Sequence, residues 1–422
     1  MMNVESTNQL PADWELVRIG ERFTFTAKPK GLRLEDYKTI AFVPMERIPS
    51  DRLFFSQFAL KTPEEITSGT YFEEGDLLVS KITPCFENGK QGIVMKIPGG
   101  FGIATTEVIP IKAKEGTSHL PFLAMYLLDS EVRSTLAGKM EGATGRQRLS
   151  KSVLEDWSMP FPHLPEQHAI AAVLAKIQAA VEVQNKIAST LKELKAATMA
   201  KLFRECRRGE PLKQTEIGEI PESWDVVQLG SLTTQKITDG THVTPRYVDK
   251  GIPFVTASNL VEDSIDLVGC KKISLEEHTQ LTRRCKPERG DILLSKVGTL
   301  GLVVKVETDD PFSIFVQVAL IKVDNTKVNA SYLKHVLKSE MLQKRIHNRA
   351  SRSTMMYIGV GKIAELEIPI PTKEEQEELV TIFDALDLRI ANARYRLASL
   401  KSLFSSMLHL LMTGQLRVKS EL

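Results

Sequence analysis

Asp309-Asp310-Pro311-Phe312 is the tetrapeptide in this chain closest to one that could do group-transfer chemistry. Adenine methyltransferases hold a flipped base with an acid or amide, two prolines and an aromatic ring. Here only one proline is present, and no glycine-rich cofactor loop follows a strand. Gly359-Val360-Gly361-Lys362-Ile363 is half of a phosphate-binding loop; it lacks the earlier glycine and the Ser or Thr after the lysine. Glu35-Asp36-Tyr37-Lys38 offers the acid-x-Lys fragment of some nucleases, a spacing that arises often by chance. The four cysteines, Cys85, Cys206, Cys270 and Cys285, form no C-x-x-C pair, and the nearest two lie fifteen positions apart. His163 and His168 lie close together but around a Pro-Glu helix start, which favours a structural place over a metal role. No catalytic residue, resident cofactor or metal site is assigned.

Binding chemistry is better represented. Gly142-Ala143-Thr144-Gly145-Arg146-Gln147-Arg148 and Lys344-Arg345-Ile346-His347-Asn348-Arg349-Ala350-Ser351-Arg352 are basic stretches in matching parts of the chain. Arg and Lys serve phosphates and guanine edges, and Gln and Asn can read adenine. The candidates are therefore Arg146, Gln147, Arg148, Arg345, Arg349 and Arg352, weighed against a solvated charged face. Lys81 and Lys296 each follow a short apolar run, where a structural and a phosphate-contacting role are both open. The formal net charge of the 422 residues is only +2, so any basic surface must come from how charge is distributed.

The elements that position these residues are written twice. Pro11 to Gly20, PADWELVRIG, returns as Pro221 to Gly230, PESWDVVQLG, and places two of the three tryptophans in register. Gly75-Asp76-Leu77-Leu78-Val79-Ser80-Lys81-Ile82 returns as Gly290-Asp291-Ile292-Leu293-Leu294-Ser295-Lys296-Val297, and Ser130-Glu131 as Ser339-Glu340. Pro160-Phe161-Pro162 with Glu166-Gln167 returns as Pro369-Ile370-Pro371 with Glu375-Gln376. The offset drifts only between 209 and 215, so the repeating unit is domain-sized and the chain imitates a dimer.

Within each copy, the Val/Ile-rich runs predict strands at Asp76–Ile82, Gly92–Ile97 and Glu107–Lys112, matched by Asp291–Val297, Gly301–Val306 and Gln317–Val323. Amphipathic helices are expected over Pro121–Leu136 and Ser331–His347, with Gly138 a stop for the first. Each copy then ends in a long helix. Pro165 suits the first turn of one, and Thr372-Lys373-Glu374-Glu375 reads as a capping box opening the other.

Apolar residues then fall at spacings of four and three. Ile170, Leu174, Ile177, Val181, Gln184, Ala188 and Leu191 form one seam; Leu379, Phe383, Leu386, Ile390, Ala393, Leu397, Leu400, Phe404, Met407 and Leu411 form the other. That repeat argues coiled coil. Gln184 is either a polar residue fixing register opposite Ala393 or an exposed break in the seam. The expected organisation is an α/β domain over 1–163, a long helix over 164–207, a polar linker over 208–220, a second α/β domain over 221–371, a second helix over 372–416 and a tail over 417–422. The fold class is α+β: two α/β domains related by a pseudo-two-fold and separated by two long antiparallel coiled-coil helices. A helix of about 40 residues spans roughly 60 Å, between one and two turns of duplex DNA at about 34 Å each.

Three segments resemble the specificity subunit of Type I restriction–modification enzymes, over nearly the whole chain. They are Thr215-Glu216-Ile217-Gly218-Glu219-Ile220-Pro221-Glu222-Ser223-Trp224, the doubled Pro-x-Pro and Glu-Gln helix opening, and Asp239-Gly240-Thr241-His242-Val243-Thr244-Pro245 with Gly251-Ile252-Pro253-Phe254. The resemblance implies two target recognition domains, each reading half of a bipartite site in double-stranded DNA, with helices that set an unread spacer. It also implies docking of two methyltransferase (modification) subunits that carry S-adenosylmethionine. A restriction or translocase subunit using ATP and magnesium is a further candidate partner. Thr241 and His242 then join the DNA-binding candidates, touching DNA or stabilising a loop.

The first copy departs from the pattern, with Thr24-Phe25-Thr26-Ala27-Lys28-Pro29-Lys30 in that region, which implies an asymmetric target. The rival readings are a coiled-coil adaptor with no nucleic-acid role and a self-contained methyltransferase or nuclease. No apolar run approaches the roughly 18 residues of a membrane span, and Met1 to Trp14 lacks a signal-peptide pattern, so a cytoplasmic location is expected.

Overall fold

The computed structural model describes residues 10–143, 145–205, 209–261, 263–351 and 356–418. Contacts divide the chain into two units: Met1–Ile187 with Ala393–Leu422, and Ala188–Asn392. The division cuts each long helix near its middle, where the sequence suggested that each helix stands apart as a segment.

In the first unit, Phe23–Phe25, Val108–Ala113, Leu77–Ser80, Gln91–Val94 and Phe54–Phe55 form one sheet in that order. Ala59–Lys61, Ile40–Val43, Phe101–Ala104 and Thr70–Glu73 form a second. The second unit repeats the plan. Thr238–Asp239, Val318–Ile321, Ile292–Ser295 and Val303–Lys305 make one sheet; Tyr247–Val248, Lys271–Ile273, Ile252–Val255 and Ser313–Ile314 make the other. All four residues of Leu77–Ser80 and of Ile292–Ser295 are buried, as the unbroken apolar runs require.

The turn before each of these strands explains the repeated Gly-Asp. Gly75 and Gly290 sit at φ 89° and 92°, a region open to glycine. Asp76 and Asp291 then accept the amides of Glu73 and Glu288, each at 2.8 Å. Burial pushes the Asp76 carboxyl up to about 6, against the pull of that amide bond. A folded-state value above the unfolded 3.8 favours the native state below about pH 4, and this contribution is lost as pH rises through about 6. Asp76→Asn, which keeps an acceptor for the Glu73 amide, is therefore expected to gain stability relative to the parent between pH 4 and 7. Parallel urea midpoints for the two proteins across that range would contradict it.

The doubled Trp and Glu-Gln motifs are one latch seen from two sides. Glu15–Arg18 pairs with Ser158–Phe161, and Asp225–Gln228 with Glu367–Ile370, so the start of each domain lies against the strand that leads into its long helix. The Trp14 and Trp224 indoles donate to Glu166 and Glu375 at 3.0 Å. Gln167 accepts from the His119 amide (2.9 Å) and donates to Pro162 O (2.8 Å). Gln376 does the same with the Asn329 amide (2.8 Å) and Pro371 O (3.0 Å). The capping box at Thr372 is thus half formed: its hydroxyl accepts from the Glu375 amide at 3.3 Å, while one oxygen of the Glu375 carboxylate is turned to Trp224.

The long helices run Leu164–Glu205 and Lys373–Met412. Within each unit their segments pair antiparallel. In the first, Gln184 donates to Ala393 O at 3.0 Å, while Ile170 and Leu174 share a core with Leu408, Leu411 and Met412. The Gln184 side chain is half-buried and spans the seam instead of breaking it. In the second, Lys195 pairs with Asp387, and Met199 and Phe203 pack with Leu379 and Phe383. Ile170, Leu174, Leu379, Phe383 and Ile390 are buried; Ile177, Val181, Leu191, Leu386, Leu397, Leu400 and Phe404 are half-buried, the burial one partner helix supplies.

Two expectations are corrected. Each amphipathic helix is two: Leu120–Tyr126 and Ser130–Ala137, then Ala330–Lys338 and Glu340–Arg349. Asp129 and Ser339 sit at the breaks, and their side chains accept amides of the following helix, a competition that short polar side chains win against helix continuation. The polar linker is a hairpin, Leu212–Thr215 with Gly218–Pro221, whose Ile217 and Ile220 enter the second unit's core. No helix among the described residues is long and apolar enough to cross a membrane.

Candidate nucleic-acid interface

In the second unit two of the candidates, Lys296 and His242, meet at one buried carboxylate, that of Asp239. Lys296 follows the strand Ile292–Ser295; its amide donates to Gln317 O (2.8 Å) and its carbonyl accepts from Ile358 N (3.0 Å). The side chain is 1% exposed. Its ammonium lies 2.9 Å from Asp239 Oδ2 and 4.7 Å from the Tyr357 ring centroid. His242 Nε2 and Arg284 Nη2 each stand 3.3 Å from Asp239 Oδ1. Arg284 also donates to the carbonyls of Asp239 (2.8 Å) and Gly240 (2.7 Å). Burial works to raise the Asp239 carboxyl, but Lys296 and then His242 hold it below the usual range.

Gly240 is required by close approach: a Cβ there would fall 1.9 Å from Ile314 O. The Thr241 hydroxyl is spent on its own turn, accepting from Val243 N (3.1 Å) and donating to Val243 O (3.2 Å). His242 stays exposed beside a cleft of about 330 Å³ floored by Leu281, Cys285 and Ile314. Lys296 is thus buried against Asp239, the Thr241 hydroxyl is engaged within its own turn, and His242 faces outward.

The first unit builds a different head on the same frame. The Lys81 amide donates to Glu107 O (3.0 Å), and its carbonyl accepts from Leu149 N (2.7 Å). Arg148 is fixed by a two-way backbone exchange with Glu141 (2.8 and 3.0 Å), across a loop whose Gly142 and Gly145 have positive φ. Its guanidinium forks onto Glu107, with Nε–Oε2 at 2.9 Å and Nη2–Oε1 at 2.8 Å. That bond, more than the burial opposing it, holds the Glu107 carboxyl below its ordinary value. Arg146 is exposed and Gln147 half-buried, its carbonyl accepting from Thr83 N at 3.0 Å.

The second basic stretch is placed differently. Arg345 and Arg349 lie on the helix Glu340–Arg349 and face inward to Glu367, at 2.8 and 2.7 Å. They also donate to the carbonyls of Glu216 and Glu365, at 2.7 and 2.8 Å. Burial would raise the Glu367 carboxyl, yet Arg345 and Arg349 bring it down to about 2. Arg352 lies outside the described residues. The residue in Arg148's place is Tyr357: both bridge the strand end, Ile82↔Arg148 and Val297↔Tyr357. The constant 209 offset of the helix openings points to Tyr357, whereas matching by charge points to Arg352. Asp239, Glu107 and Arg284 were also missed, because acids and single arginines carry no binding signal in sequence.

Among the described residues, one group has the spacing of metal ligands: His335, Asp384 and Asp387. Lys334 lies 3.6 Å from Asp384 and 3.8 Å from Asp387, and Lys195 pairs with Asp387. Two lysines already balance the two carboxylates, which disfavours a cation.

Comparison with known proteins agrees with the doubled plan. The family model described as the Type I restriction modification DNA specificity domain matches twice, over residues 11–193 and 221–402. The chain is 24% identical over 98% of its length, and 95% of the relative's, to the Type I restriction enzyme MjaVIII specificity subunit of Methanocaldococcus jannaschii. It is 31% identical over 41% of its length, and 29% of the relative's, to the EcoEI specificity subunit of Escherichia coli. A solved Type-I restriction-modification S subunit from M. genitalium superposes with a TM-score of 0.58 at 15% identity, over 96% of this chain and 97% of that one. With the family model covering both copies, the chain belongs to the Type I restriction modification DNA specificity family.

Proposed function

We propose that this chain is the DNA-reading subunit of a Type I restriction–modification assembly. Each unit reads one half of a bipartite site, and the asymmetry of the two heads makes the halves differ. The long helices set the spacer and dock two methyltransferase subunits; a restriction or translocase subunit is a further partner. The chain performs no catalysis, and S-adenosylmethionine, ATP and magnesium belong to the partners. The observation that carries this reading is the family match over both copies, with differently charged loops at the same strand end in each: Lys81, Arg146 and Arg148 in one, His242 and Tyr357 in the other.

Mapping methylated bases in the host genome with and without this chain would supply the site. A duplex carrying that site is then expected to bind with steep salt dependence, because phosphate contacts release counterions. Arg148→Ala is expected to weaken binding by about 1–3 kcal/mol if the guanidinium reads a base edge. Salt-independent binding, or none, would exclude a DNA reader. Unchanged affinity in the variant would remove only this loop.

A further inference from the structure

We infer that Lys81 is a DNA-phosphate contact of the first unit and that the second unit lacks its equivalent. The inference rests on the DNA-reading function proposed above and assigns a site within it. Backbone pairing fixes which positions correspond. Val108↔Ser80 and Val318↔Ser295 are matching pairs of the two sheets. Thr26 N donates to Pro110 O at 3.0 Å, and Thr238 faces Leu320. With Pro110 matching Leu320, Thr26 matches Thr238 and Ala27 matches Asp239.

Lys81 and Lys296 thus share one backbone environment, but the position that supplies the carboxylate to Lys296 is Ala27 in the first unit, which has no carboxylate to offer. Lys296 is 1% exposed; Lys81 is half-exposed. The neighbouring Glu107 is already forked by Arg148, and the Lys81 ammonium has no hydrogen-bond or ion-pair partner among the described residues.

The chain beyond this point differs as well. Gly240 presses the second unit's backbone onto Ile314, whereas the first unit carries Lys28 at that position and Lys30 two residues on. Both are exposed, as is Arg146 on the adjoining loop. Lys81 acts on Glu107 only at longer range, and these lysines, for which no hydrogen bond or ion pair to the described residues is found, suit a run of phosphates, where lysine acts as a point charge. In the second unit the lysine is buried under Tyr357 against Asp239, and the exposed cation there is Arg284, itself held on Asp239.

The test measures binding of full-length chain to its cognate duplex between 50 and 200 mM salt, for the parent, Lys81→Ala and Ala27→Asp. One phosphate contact contributes a slope of about 0.9 in log affinity against log salt. Both variants should therefore lose about three- to fourfold less affinity than the parent over that range, and bind more weakly at 50 mM. Ala27 is exposed, so an aspartate there is tolerated, and the register puts it at the position from which Asp239 holds Lys296. Parental slopes in both variants would overturn the inference while leaving a salt-dependent DNA reader intact. A changed slope in Lys81→Ala alone would keep the contact and overturn the account of why the units differ. A parent without salt-dependent binding would sink the DNA-reading function itself.

Discussion

Lys296→Ala is expected to destabilise the protein by about 3 kcal/mol or more, the cost of leaving a buried carboxylate without its principal cation. Asp239 would keep Arg284 and His242, each at 3.3 Å, but lose the ammonium at 2.9 Å. The position is 1% exposed, so water cannot replace it cheaply. Asp239→Ala with Lys296→Met, which removes both charges and keeps the lysine's bulk, should recover much of the loss. Lys81→Ala, the same substitution at the matching place, should stay within about 0.5 kcal/mol of the parent, as exposed substitutions do. Urea unfolding of the four proteins reads this contrast. Equal losses at Lys81 and Lys296 would mean that Asp239 is not what distinguishes them.

Gln376→Ala is expected to cost about 3 kcal/mol. The side chain is 1% exposed and serves two backbone groups, accepting from the Asn329 amide and donating to Pro371 O. Removing it strands one buried donor and one buried acceptor, each worth about 1–3 kcal/mol. Gln376→Glu should lose less only at low pH, where the protonated carboxyl still accepts from Asn329 and donates to Pro371 O, and more at neutral pH, where it buries a charge without a cation. Gln167→Ala is its twin in the first unit, with bonds to His119 and Pro162. If both alanine variants unfolded with the parent, the doubled Glu-Gln would have no bearing on how each helix is joined to its domain.

The sequence made the frame legible where a pattern reports burial directly. The strands Leu77–Ser80 and Ile292–Ser295 and the four-three seam of the long helices follow from apolar spacing alone. Even Gln184 could be placed opposite Ala393, because antiparallel register is arithmetic. Partners at long separation were not legible. Arg345 and Arg349 look free beside Lys344, but the chain brings Glu367 back across 22 and 18 residues to meet them. Lys296 looks like Lys81 until Asp239 arrives from another strand. The hairpin over Leu212–Pro221 reads as polar because its buried residues are only Ile217, Ile220 and Pro221. Charge and polarity describe a residue; whether it reaches solvent is decided by what folds over it.

The division of the chain has a consequence for synthesis. The second unit is one unbroken stretch, Ala188–Asn392, whereas the first needs both Met1–Ile187 and Ala393–Leu422. Ile170 and Leu174 belong to a core completed by Leu408, Leu411 and Met412. Emerging from the ribosome, the first-made unit therefore keeps an uncovered apolar stripe while the later one already has every segment it requires. Domains generally mature in the order they are translated; here the order of completion is reversed, and the earliest residues wait longest for their cover.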